Sequence, residues 1–204
     1  MKISAANTAL MIVDMQNGFC HPDGSFAGLG FDISMFAGAI EGCAKLVRAA
    51  HACDVPVIYT RYVYQPGYQD GGLLTNELFP AIKESNHLAA GSWDADIVDE
   101  LTPEDHDLVI EKSRYSSFYG TRLEPILSNK QIKSLVVAGV TTNMCVESTV
   151  RDASQRDYYT YTVSDATGEQ SLERHNQALH TIAFGFGWVV TTADVLAGWK
   201  YTSS

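Results

Sequence analysis

Three side chains in this 204-residue sequence combine the types that perform covalent chemistry on carbonyls. Asp14 closes the apolar run Thr8–Val13 (TALMIV). Lys112 follows the run Leu108–Ile110, after Glu111. Cys145 lies just beyond the run Leu135–Val140 (LVVAGV), where a helix is expected to begin. A thiol at a helix N-terminus meets the positive end of the dipole, and a nearby ammonium adds to that field. Both are expected to lower the thiol pKa. An adjacent carboxylate can take the thiol proton as general base. The free N–H groups of a helix start can hold an oxyanion. Such a set attacks a carbonyl and forms an acyl- or carbamoyl-enzyme thioester. Taken singly, each residue has a plainer role: a turn aspartate, a surface lysine, a small buried thiol. Together they weigh more, because all three fall at the ends of expected strands.

Other constellations are weak. Cys20, Cys43, Cys53 and Cys145 form no C-x-x-C pair and no zinc spacing. Reduced thiols and a cytoplasmic location are expected. The six histidines are scattered, and none forms a recognisable Cys-His dyad by spacing. There is no G-x-S-x-G and no phosphate-binding G-x-x-x-x-G-K-[ST]. Gly28-Leu29-Gly30 lacks the rest of a dinucleotide-binding pattern.

The elements that must position the three residues follow from the pattern of apolar runs. Besides the three above, Val55–Thr60, Tyr159–Val163 and Trp188–Thr192 read as strands. Unbroken apolar runs imply burial on both faces, as in a parallel sheet. Helices are expected over Ile33–Ala52, Asn143–Gln155 and Ser171–Phe184, with Ser171 as an N-cap. This alternation predicts an α/β fold: a three-layer α-β-α sandwich on a six-stranded, mostly parallel sheet. Ligand sites of such folds lie at the carboxyl ends of the strands. The span 62–107 is long and irregular, with Pro66, Gly67, Gly71, Gly72 and Gly91. It reads as a partly helical, pocket-forming insertion. No linker divides the chain, so residues 1–204 are expected to form one domain.

Composition excludes other classes. Apolar residues are 46% and charged residues 19%, which fits a globular chain. The net charge of −10 argues against nucleic acid and anionic membranes as partners. No apolar run reaches the roughly 18 residues of a membrane span, and no secretory leader is expected, since Asp14 interrupts the first apolar run.

The strings ALMIVDMQNGF (9–19), EKSRYSSFYGTRLEPIL (111–127) and VVAGVTTNMCVESTVRDA (136–153) resemble the isochorismatase-like cysteine hydrolases over residues 8–195. The resemblance implies a catalytic triad of Asp14, Lys112 and Cys145. It also implies a cis Val140–Thr141 peptide bond and an oxyanion hole formed by the Thr141 and Cys145 amides. Isochorismatases proper lack the cysteine, so cleavage of a vinyl ether is not expected. Nicotinamidases carry an Asp/His metal cluster after the second strand; Arg61–Gly72 contains no histidine, so neither a catalytic metal nor a cofactor is expected. GSWDADIVDEL (91–101), KSRYSSF (112–118), TNMCVESTVRD (142–152) and FGWVVTTADVL (186–196) are similar to the ureidoacrylate amidohydrolase group, whose relatives act on other ureido and carbamoyl compounds. Two departures bear on the substrate. The loop 62–76 differs from that of the ureidoacrylate enzymes, and Tyr115 stands where biuret hydrolases place a lysine.

The expected reaction is therefore hydrolysis of a C–N bond in a small ureido, carbamoyl or carboxamide compound. Expected substrate-binding residues are Phe19, Tyr115, Asn17, Asn143, Tyr62 and Trp93, with Arg61 a candidate for a substrate carboxylate. Structural roles compete with each of these. The resemblance implies a homo-oligomer, dimeric or tetrameric. Alternatives are an enzyme for another amide (nicotinamide-, maleamate- or hydroxamate-like), a non-catalytic metabolite-binding relative, and a redox-sensing cysteine protein. The last would want a resolving thiol, which no spacing supplies.

Overall fold

The computed structural model describes residues 3–201. Six parallel strands form one sheet in the order β3-β2-β1-β4-β5-β6. They are β1 Thr8–Val13, β2 Val57–Tyr62, β3 Leu108–Lys112, β4 Ser134–Val140, β5 Tyr159–Gly168 and β6 Trp188–Val190. β1 and β4 lie at the centre, and their apolar side chains are sealed from solvent. That is why these runs do not alternate with polar residues.

The long helix Phe36–Ala52 packs across β1, β2, β4 and β5, beside the helix Thr192–Gly198. Its buried positions Phe36, Ala39, Cys43, Leu46 and Ala50 repeat at the helical period. The helices Glu147–Ser154 and Leu172–Gly185 pack against each other and along β5. Right-handed crossovers put these two groups on opposite faces, giving three layers. The sheet is wholly parallel, where the sequence suggested mostly parallel.

Element boundaries shift for local reasons. β2 starts at Val57, after Pro56, whose ring leaves no N–H for the ladder. β5 runs on to Gly168 because the ladder to β4 shifts register between Val137 and Gly139. Gly139 allows this shift: at φ 117 its Cα passes so close to Val13 that a Cβ would lie 2.1 Å from the Val13 carbonyl oxygen. β6 ends at Val190, since Thr191 caps the next helix in a reciprocal pair with Asp194. Ser171 caps the helix Leu172–Gly185, accepting from Arg174 N at 3.4 Å.

The chain between β2 and β3 consists of short helical turns at Pro66–Tyr68, Leu74–Leu78, Ala81–Glu84, Trp93–Ala95 and Asp99–Leu101. Gln16, fully buried after β1, fastens this segment to the sheet. Its Nε2 donates to the Tyr62 and Ala95 carbonyls at 2.9 Å each, and its Oε1 accepts from Tyr62 N at 2.7 Å.

Candidate active site

The strand order reverses between β1 and β4, and the chain leaving their carboxyl ends carries Asp14 and Cys145. Asp14 takes a left-handed backbone conformation (φ 52), uncommon outside glycine, asparagine and aspartate. Its backbone N–H meets Thr60 within β2, and Thr60 Oγ1 donates to Asp14 Oδ1 at 2.7 Å. Lys112, the last residue of β3, reaches across β2. Its Nζ donates to Asp14 Oδ2 at 2.6 Å and to the Arg114 carbonyl at 3.0 Å. The ammonium also lies 4.4 Å from the centre of the Tyr62 ring. Both members of this ion pair have wholly buried side chains.

Cys145 sits in a wide helical turn, Thr142–Val146, that runs into the helix Glu147–Ser154. The Val140–Thr141 bond before this turn is cis. The turn is tied to the end of β5 at two points. Thr142 Oγ1 donates to the Gly168 carbonyl at 3.0 Å and contacts His175 Nδ1 at 2.9 Å. Asn143 N donates to the buried Glu169 carboxylate at 3.1 Å.

Asp14 and Lys112 are the charged groups acting on the Cys145 thiol, in opposite directions. Burial pushes the thiol above its ordinary value. Lys112 opposes the shift, and the Asp14 carboxylate reinforces it. This corrects the sequence expectation of a lowered pKa. Helix position and an ammonium neighbour were visible in the sequence, but burial was not, and desolvation is the larger effect. Cys145 therefore rests as a thiol beside the Asp14 carboxylate rather than as a thiolate.

Cys145 opens onto a cavity of about 150 Å³. Of the residues named from sequence, Phe19, Tyr62, Tyr115 and Thr141 line it with Cys145. Tyr62 donates its hydroxyl to the Ser113 carbonyl at 3.1 Å, and burial pushes the Tyr62 and Tyr115 hydroxyls above the ordinary phenol value.

Four others lie elsewhere. Arg61 points away from Tyr62, its neighbour on β2, and pairs with Glu111 at 3.0 Å and Asp96 at 3.6 Å. It lines a surface cleft with Glu111 and Arg122, apart from the Cys145 cavity. Asn17 donates Nδ2 to the Trp93 carbonyl at 3.0 Å, and both residues line a separate surface depression. Trp93 is half exposed and packs edge-on against His21. Asn143 uses its backbone to hold Glu169 and is not among the cavity residues.

Sequence reasoning missed Arg174, Gln170 and His87, which do line the cavity. Arg174 is the one formally charged side chain among the described cavity residues, and its Nε lies 3.8 Å from Glu169. Its place in the first turn of the helix after β5 was legible; its direction was not. The His51, His106 and Asp107 side chains could together hold a metal, but they cluster at the amino end of β3, away from this cavity. Among the described residues no helix is long and apolar enough to cross a membrane.

Known proteins match the chain over nearly its full length. The isochorismatase domain model matches residues 8–194. A ureidoacrylate amidohydrolase RutB of Methylobacterium radiotolerans is 38% identical over 94% of this chain and 79% of its own length. The enzyme of the same name from Azorhizobium caulinodans is 36% identical over 95% of this chain and 91% of its own. A cysteine hydrolase structure from Pseudomonas syringae pv. phaseolicola 1448A superposes with a TM-score of 0.88 at 30% identity, covering 97% of this chain and 94% of that one. On its sequence, its strand order and the matched domain, the chain belongs to the isochorismatase family.

Proposed function

We propose that this chain is a cysteine amidohydrolase that cleaves a C–N bond of a small ureido, carbamoyl or carboxamide compound. The observation that carries the reading is the buried Asp14–Lys112 pair acting on a thiol that lines a largely apolar cavity. The shared name of the relatives, ureidoacrylate amidohydrolase, supports the ureido class.

The reaction runs in two halves. Cys145 Sγ attacks the substrate carbonyl carbon as Asp14 takes the thiol proton. The carbonyl oxygen becomes an oxyanion held by the Thr141 and Cys145 amides. Collapse of this intermediate breaks the C–N bond, and Asp14 returns the proton to the departing amine or ammonia. A thioester remains on Cys145. Asp14 then takes a proton from water as the water attacks the thioester, and the acid departs with the thiol restored. Lys112 neutralises Asp14 while the carboxylate is charged, and so allows a buried base to exist at all. Phe19, Tyr62 and Tyr115 shape the substrate site. The chain forms one domain whose 62–107 segment walls the cavity, and a homo-oligomer in the cytoplasm is the setting that the family implies.

The test is ammonia release from a panel of small ureido, carbamoyl and carboxamide compounds, with Cys145→Ala as control. Release by the wild-type protein that vanishes in the variant is the expected result. Release that persists in the variant, or none across the panel, overturns the reading.

A further inference from the structure

One wall of the cavity is not used by the reaction proposed above. His87 lies in the segment between β2 and β3, with its ring against Phe19 and Phe26. Its Nδ1 lies 2.5 Å from Ser25 Oγ, which in turn lies 2.6 Å from Asp94 Oδ2. The same carboxylate accepts the backbone N–H groups of Ser25 at 2.9 Å and Leu88 at 2.7 Å. A carboxylate only accepts, so the single Ser25 hydroxyl hydrogen goes to Asp94. The Ser25 oxygen then faces His87 Nδ1 with a lone pair, and Nδ1 must carry the ring proton. Burial holds the imidazole down at about 4, so the ring is neutral near pH 7. Its Nε2 is therefore an acceptor.

Nε2 makes no hydrogen bond among the described residues, and it is not among the enclosed polar atoms left unpaired. His87 lines the Cys145 cavity, and Nε2 is its ring nitrogen left without a partner among the described residues. Much of the cavity lining is apolar: Phe26, Phe31, Leu74, Phe79 and Ile82. A substrate N–H placed among these side chains would lose its water and find no other partner, a costly state.

We propose that His87 Nε2 is an acceptor subsite for a substrate N–H, selecting amides and ureas that carry an apolar body and a hydrogen on the nitrogen bearing it. The proposal rests on the amidohydrolase reading for its substrate class. Asp94 and Ser25 are positioning residues that fix the tautomer. An acceptor beside apolar side chains discriminates well, because a substrate lacking the N–H leaves it unpaired.

The test is calorimetric binding of benzylurea and N-benzyl-N-methylurea to Cys145→Ala protein, which needs no turnover. Benzylurea should bind at least about tenfold tighter, the worth of one neutral hydrogen bond. Adding His87→Leu should remove that preference by weakening benzylurea alone, and His87→Gln, which keeps an acceptor, should restore part of it. Ser25→Ala should reduce it by freeing the tautomer. A preference unchanged in His87→Leu, or no preference in the starting protein, overturns the subsite. Binding with this pattern in a protein whose wild-type form hydrolyses no amide would instead defeat the amidohydrolase reading and leave the subsite standing.

Discussion

Lys112 Nζ lies 2.6 Å from Asp14 Oδ2, with both side chains sealed from solvent. The two residues are 98 positions apart and come from strands separated by β2. Removing one member of such a pair leaves the other charge buried alone. Lys112→Met should cost about 3–5 kcal/mol of stability, against less than about 1 kcal/mol for an exposed pair. Urea unfolding of the two proteins measures the difference.

The opposed actions of Asp14 and Lys112 on Cys145 give a signature in thiol reactivity. In the wild type, burial and Asp14 hold the thiol protonated, so alkylation by iodoacetamide at pH 7 should be slow. Asp14→Asn removes one cause of the raised pKa and leaves the ammonium acting alone. Alkylation of Cys145 should speed up in this variant while hydrolysis falls by about 10²–10⁴, the range for a lost general base. Peptide mapping after timed alkylation reads the first effect, and ammonia release reads the second. Parallel losses of both would contradict the assigned roles.

Stability should fall as the pH rises above about 9. Burial raises Cys20, Cys43 and Cys145 above their ordinary value of 9.0. Below pH 9 these thiols are protonated in folded and unfolded chains alike, and their contribution is fully present. Above it the unfolded chain loses those protons first, which favours unfolding. The urea midpoint followed from pH 8 to 11 should decline, and less steeply in Cys43→Ala.

Gln16 should matter more than its neutral side chain suggests. Its amide satisfies the backbone of Tyr62 and the carbonyl of Ala95. Gln16→Ala strands these groups, at about 1–3 kcal/mol for each that stays dry. Thermal unfolding should show the loss, and KM should rise as the wall carrying His87 loosens.

Arg61→Ala should leave KM within about twofold of the wild type and cost less than about 1 kcal/mol, because its partners Glu111 and Asp96 are both exposed. A large rise in KM confined to carboxylate-bearing substrates would return Arg61 to the substrate site.

The contrast between Arg61 and Tyr62 shows how far the sequence could be read. The apolar runs place all six strands, and the strand-end rule gathers Asp14, Lys112 and Cys145 on one rim. Successive residues on a strand face opposite ways, yet nothing in RY says which one meets the cavity. The answer lies in the pairing of β2 with β1 and β3. Gln16 and His87 were hidden for a related reason. Their partners lie 46 to 79 residues away in the chain, across an irregular segment with no period to read. The sign of the Cys145 shift is not legible in the sequence, because burial belongs to the packed molecule and not to the local string.

The most direct test of a covalent mechanism is mass spectrometry of protein quenched during turnover of its best ureido or carboxamide substrate. The account predicts a mass increase equal to the substrate minus its amine, mapped to Cys145 and absent in Cys145→Ala, which should also release no product. An adduct on another residue, or turnover surviving in Cys145→Ala, would contradict it.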